Sequence, residues 1–176
     1  MKKIILDAEG IGRALRDMAQ EILPAKVSAE DLALVGIRTG GAFLVRRLQA
    51  LLESAAGRAI PTGIIDINLY RDDWTRAAPK PVVGKTELAF SIDDRRLVLV
   101  DDVLFTGRTV RAALDALIDY GRPARIELAV LVDRGHRELP IRADYVGLAA
   151  ATSREERVNV YLSEMGGVDA AAVEGP

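Results

Sequence analysis

The stretch Leu97-Val98-Leu99-Val100-Asp101-Asp102-Val103-Leu104-Phe105-Thr106-Gly107-Arg108-Thr109 joins three kinds of residue in an order that suits chemistry on a phosphorylated ligand. Four apolar residues predict a buried strand. Two carboxylates follow at its carboxyl end, and Thr106-Gly107-Arg108-Thr109 opens into a helix with Val110, Ala113, Leu114, Leu117 and Ile118 on one face. A helix start presents unpaired N–H groups and the positive end of its dipole. Gly107 lets the backbone approach an anion, and the two threonine hydroxyls can donate to it. The spacing fits neither G-x-x-x-x-G-K-[ST] nor G-x-G-x-x-G, so a nucleoside triphosphatase loop and a dinucleotide fingerprint do not apply. Asp101 and Asp102 would repel an anion unless a cationic or hydroxyl-rich partner lies between them and it, and a magnesium ion or a ribose diol would serve. An Asp-Asp pair also suits capping of the turn and helix start, and the pair alone leaves that alternative open.

The elements that must position these residues follow from apolar spacing. Ile11, Leu15, Met18, Ala19 and Ile22 predict a helix from about Ala8 to Leu23, closed by Pro24. Leu32 to Ile37 is a continuous apolar run of the kind buried on both faces of a parallel sheet. A second helix is expected over about Gly41 to Ala55, then a half-buried strand over Ile64 to Tyr70, where Ile65, Ile67 and Leu69 alternate with Asp66 and Asn68. Residues Arg71 to Asp94 lack a core pattern and read as a long loop of the kind that closes over a site. Strands are further expected at Leu97–Val100, Ile126–Val132, Asp144–Gly147 and, as an edge, Val158–Leu162; Gly166 to Pro176 reads as a loosely held acidic tail. Strands separated by helices predict an α/β domain with a largely parallel sheet. One domain spanning residues 1–176 is the expectation.

Composition narrows the chemistry. Hydrophobic residues make up 49% and charged residues 28% of 176, which is the balance of a folded globular chain. Cysteine is absent and His136 is the only histidine, which excludes disulfides, thiol nucleophiles and multi-histidine metal sites. No apolar run approaches the roughly 20 residues of a membrane helix, and the start lacks a secretion signal, so a cytoplasmic location is expected. With 24 basic and 26 acidic side chains the net charge is −2, and any nucleic acid would have to be held by a local basic patch.

The Asp-Asp and Thr-Gly-Arg-Thr stretch resembles the phosphoribosyl-diphosphate signature of type I phosphoribosyltransferases. Leu69-Tyr70-Arg71-Asp72-Asp73 and the run from Val132-Asp133-Arg134-Gly135-His136-Arg137 to Asp144-Tyr145 extend the resemblance over nearly the whole chain. These motifs are similar to those of the PyrR-type pyrimidine operon attenuation regulators with uracil phosphoribosyltransferase activity. The resemblance implies a mostly parallel sheet flanked by helices, with a long lid loop at about 71–94 and a small hood. It also implies transfer of a 5-phosphoribosyl group from phosphoribosyl diphosphate to uracil, giving UMP and diphosphate, with magnesium required and its protein ligands not identified.

Carried over by resemblance, Asp101 and Asp102 hold the ribose hydroxyls, and Val103, Leu104, Phe105, Thr106, Gly107, Arg108 and Thr109 line the substrate site, the last four binding the 5-phosphate. Arg38, Thr39 and Gly40 belong to the diphosphate loop, where a non-proline cis peptide is expected between Arg38 and Thr39. Relatives often carry a larger basic residue where Gly40 stands. Arg71 or Lys85 would meet the leaving diphosphate, and Arg134 and the backbone near Val158 would meet the base, with Asp133 a further candidate. Purine-using relatives often have an acid where Phe105 stands, and no group here is assigned to deprotonate uracil. The resemblance also implies UMP-dependent binding to an attenuator mRNA hairpin, with Arg13, Arg16, His136, Arg137 and Arg142 as candidate contacts, and a homodimer or higher homo-oligomer. Two other readings stay open: a nucleotide sensor with little turnover, and an enzyme that has lost RNA binding. In the alternative reading of the basic motif, Arg134, Arg137 and Arg142 pair with Asp133, Glu138 and Asp144 at a subunit contact.

Overall fold

The computed structural model describes residues 2–24, 28–70 and 85–175. In chain order the elements are β1 (Lys2–Leu6), α1 (Ala8–Ile22), β2 (Leu32–Ile37), α2 (Gly40–Ala56), β3 (Thr62–Ile65), β4 (Arg96–Leu104), α3 (Arg108–Ile118), β5 (Arg125–Asp133), β6 (Tyr145–Ala149), β7 (Arg157–Tyr161) and β8 (Ala170–Glu174). Five strands form an all-parallel sheet in the order β3-β2-β4-β5-β6, and three form a second, antiparallel sheet in the order β1-β8-β7.

The apolar runs are continuous because the central strands are covered on both faces. Leu34, Val98, Val100, Ala129 and Leu131 pack with α1 and α2, while Ala33, Val35, Leu97, Leu99, Leu128 and Val130 pack with α3. The chain therefore leaves β2 toward one edge through α2 and leaves β4 toward the other through α3. The gap between the carboxyl ends of β2 and β4 is the point where strand order reverses, which is where open α/β sheets leave room for a ligand. β7 approaches β4, so the small sheet overhangs this end as the expected hood.

Several expectations need correction. The third strand ends at Ile65 and not at Tyr70: the buried Asp66 turns the chain by accepting the Asn68 N–H at Oδ1 (2.9 Å), an Asx turn that stops pairing. β4 continues through both aspartates to Leu104, because Val103 and Leu104 stay paired with Val132 and Asp133. Gly166 onward is no loose tail: β8 is the middle strand of the hood, with Ala171 and Ala172 fully buried between β1 and β7. β1 was not foreseen at all, while the edge position expected for Val158–Leu162 is where β7 lies. Of the expected lid, 71–84, with Arg71 and Trp74, lies outside the described residues. Lys85 to Asp94 is irregular except where Glu87 bridges Ile64 through two hydrogen bonds (2.9 and 2.7 Å). No helix among the described residues is long and apolar enough to cross a membrane.

The hood is fastened to α2 by Arg47, which donates to Asp169 (2.5 and 3.0 Å), Glu164 (2.6 and 2.8 Å) and Ser163 Oγ (3.2 Å). The guanidinium holds the Asp169 carboxyl down at about 2, from an ordinary 3.8. A carboxyl whose folded pKa is depressed lends stability that is complete above its unfolded pKa and is lost as pH falls through the folded one. The shift is worth about 2 kcal/mol. Urea unfolding followed from pH 5 to pH 2 should show that loss in the natural chain; Arg47→Met should lower stability by about 2 kcal/mol at pH 7 and flatten this part of the acid dependence.

Candidate functional site

At the carboxyl end of β4 the carboxylates are held by the backbone. Asp101 Oδ1 accepts the Asp102 N–H (2.9 Å) and Asp102 Oδ1 accepts the Val103 N–H (2.8 Å). Asp101 is buried at 5% exposure, whereas Asp102 is half-buried. Residues 103–110 then enclose a cleft of about 310 Å³. Gly107 caps α3 with φ of +93°, a left-handed conformation that a side chain would strain, and it brings no side chain to the helix start, where the Thr106 hydroxyl accepts the Arg108 N–H (3.3 Å). The open helix start therefore faces a concave loop, the arrangement that receives an anion.

The second loop comes from β2. Arg38–Thr39 is a cis peptide, as expected at that position. α2 starts at Gly40, without a side-chain cap from Thr39. A Cβ at Gly40 would stand 2.3 Å from Asp102 Oδ2, one at Gly41 2.2 Å from the Val100 carbonyl oxygen, and one at Gly36 2.4 Å from the Gly41 carbonyl oxygen. The missing side chains let the β2–α2 loop lie directly against β4 and its acidic pair. A larger residue at position 40 has no room here as the backbone stands. Arg38 points along the loop edge, donating to the Lys85 carbonyl (2.8 Å) and lying 3.7 Å from Glu87; its Nε is buried without a partner among the described residues.

A third segment, residues 134–141, braces the 103–110 loop from behind. The Thr106 carbonyl accepts from Glu138 N (2.9 Å) and Leu139 N (3.2 Å), and the Phe105 carbonyl accepts from Arg137 Nη1 (2.8 Å). Arg137 also donates to the Gly135 and Ile141 carbonyls and pairs with Asp133. Burial pushes the Asp133 carboxyl up, but Arg137 and the Gly135 N–H outweigh it and leave it below the usual range. Arg108 and Arg154 share Glu138, holding its carboxyl below the ordinary range despite its exposure.

The structure thus gathers Asp101, Asp102, residues 103–109 and the 38–40 loop at one end of the sheet. It does not leave Arg134 open to a ligand. Arg134 is 5% exposed and covered by Phe105. The Val158 side chain packs in the core, so only its backbone is available to a ligand. Among the candidate RNA contacts, Arg16 and Arg142 are exposed and Arg13 pairs with Glu9 (2.8 Å). His136 and Arg137 turn inward, His136 Nε2 lying 2.6 Å from the Thr152 carbonyl. Of the pairings expected in the alternative reading, only Arg137 with Asp133 forms; Glu138 pairs instead with Arg108 and Arg154, and Asp144 accepts from Leu128 N. Sequence reasoning missed the bracing role of Glu138, whose N–H works through the backbone and leaves no mark in residue type.

Comparison with known proteins places this geometry. Residues 1–161 match the family of the phosphoribosyl transferase domain. Solved structures of the same fold include the hypoxanthine phosphoribosyltransferase of Trypanosoma cruzi (TM-score 0.71, 20% identity, 99% of this chain and 97% of that one) and a hypoxanthine-guanine phosphoribosyltransferase of Bacillus anthracis (TM-score 0.71, 14% identity, 99% and 98%). Within that class the chain belongs to the family of proteins named Bifunctional protein PyrR. It is 54% identical to that of Syntrophobacter fumaroxidans over 172 residues (98% of this chain, 92% of the other) and 56% identical to that of Desulfosudis oleivorans over 173 (98% and 96%).

Gly40→Ala should force Asp102 or the loop to move. The expected cost in urea unfolding is about 1–3 kcal/mol, against little change for Gly12→Ala, where a Cβ meets only the far end of Arg16 at 3.4 Å.

Proposed function

We propose that the chain transfers the 5-phosphoribosyl group of phosphoribosyl diphosphate to N1 of uracil, and that the resulting UMP site governs attachment to a pyrimidine-operon attenuator hairpin. The observation that carries this reading is the meeting of two helix starts, α2 and α3, whose N-cap residues Thr39 and Gly107 place no side chain on the helix, beside the Asp101–Asp102 pair. One start suits a terminal phosphate and the other a leaving diphosphate, with carboxylates between them for a sugar diol. The bond from C1 of the ribose to the diphosphate oxygen breaks, the bond from C1 to N1 of uracil forms, and the N1 proton is lost. The backbone N–H groups of residues 106–109 hold the 5-phosphate. Those of residues 39–41 meet charge growing on the diphosphate, with Arg38 Nε a further donor at that edge. Asp101 and Asp102 hold the 2- and 3-hydroxyls and lie near the sugar as it becomes cationic.

Magnesium carried with the diphosphate substrate supplies positive charge at the leaving group. Among the described residues no three carboxylate or histidine groups converge on one point. Asp101 and Asp102 are the carboxylates that would lie beside a magnesium ion brought in with the substrate, and hard oxygen donors of this kind suit that ion. The regulatory half of the reading is supported by the hydrogen bonds from residues 137–139 to Phe105 and Thr106, which join the 5-phosphate loop to the motif carrying His136, Arg137 and Arg142. The reading carries with it a homo-oligomer in the cytoplasm.

Asp102→Asn keeps an acceptor for the Val103 N–H, so it should cut UMP formation by about two orders of magnitude while leaving the melting temperature nearly unchanged. A large loss of stability with turnover intact would assign the pair to capping. Filter binding to a hairpin across a salt series, with and without UMP, tests the second half; a response indifferent to UMP counts against it.

A further inference from the structure

Phe105 is gripped at both ends. Its carbonyl is held by Arg137, and its ring centroid lies 4.0 Å from Arg134 Cζ. Arg134 is in turn fixed from the far side: Nη2 donates to the Ser153 carbonyl (2.8 Å) and its own carbonyl accepts from Thr152 Oγ1 (3.2 Å), while its backbone N–H donates to the Leu104 carbonyl (3.1 Å). The His136 ring meets Phe105 nearly edge-on at 6.1 Å and is anchored to the carbonyl of Thr152. A guanidinium so buried is a poor way to fill space, since its Nε has no partner among the described residues. With one face under the ring, it reaches no ligand in the cleft unless Phe105 moves.

We infer that Arg134 is a positioning residue acting through Phe105: it fixes the ring as a wall of the nucleobase site and does not itself touch the base. This deepens the nucleotide-forming reading and rests on it. A cation beneath the ring favours one ring orientation, because the attraction falls away as the face tilts. Phe105 lies three residues beyond Asp102 in the cleft wall, so a ring free to swing would widen the space beside the reacting sugar carbon while leaving the phosphate loop as it is.

The test is a double-mutant cycle on Arg134 and Phe105 in the full chain, read by UMP affinity in calorimetry and by the KM values of both substrates. Arg134→Met should weaken UMP binding and raise the uracil KM by roughly tenfold, with the KM for phosphoribosyl diphosphate within about twofold. Arg134→Lys should recover most of the loss. On a Phe105→Leu background Arg134→Met should add less than about twofold, because its effect is already spent. Additive losses would mean that Arg134 contacts the base directly, and an unchanged UMP affinity would mean that it does nothing for the site; either overturns the inference. If Arg134→Met fails to fold, the cycle with Arg134→Gln, which keeps a donor for the Ser153 carbonyl but puts no charge under the ring, decides by the same additivity. A natural chain that binds UMP without making it would sink the enzymatic reading and leave this one standing on UMP affinity; one that does not bind UMP overturns both.

Discussion

How near the loop after β2 can come to β4 decides what the carboxyl end of the sheet can hold. A methyl group at position 41 would collide with the Val100 carbonyl oxygen, and one at position 40 with the Asp102 carboxylate. With hydrogen in both places the two helix starts close on the acidic pair from opposite sides. The donors of α2 and α3 and the carboxylates of β4 then lie within reach of one small phosphorylated sugar. Each part alone is common: helix starts attract anions, and aspartates end strands. At position 41 their mutual distance is set by backbone against backbone, and at position 40 by backbone against the Asp102 carboxylate.

The second constraint lies behind the first. The 103–110 loop would be free to choose its shape if its carbonyls were solvated. Instead those of Phe105 and Thr106 are drawn backward by residues 137–139. Pulling the carbonyls back turns the same loop's N–H groups forward. The segment most distinctive in the sequence, from Asp133 to Ile141, thereby serves the site without lining it.

Much of this was legible beforehand, and what was not has physical reasons. β2, β4 and β5 announced themselves because strands buried on both faces must be apolar throughout. The turn into α3 was readable because a glycine between threonines ahead of an amphipathic run marks a helix start. β8 was not: Ala170, Ala171 and Ala172 have weak strand preference, and their role is to be small enough for the middle of a tight sheet. The end of β3 was missed because alternation continued past Asp66 while an Asx turn had already bent the chain. Arg134 was assigned to the base by resemblance, and a sequence does not reveal that the aromatic ring at the end of the neighbouring strand covers it.

The hood joins strands from far apart in the chain: β1 at residues 2–6 hydrogen-bonds to β8 at 170–174, while the five-stranded sheet needs only residues 32–149. A contact closing so large a loop forms late in folding. The parallel sheet can therefore mature while β1 still lacks its neighbour, with the apolar underside of α1 and the sheet end bare until β8 arrives.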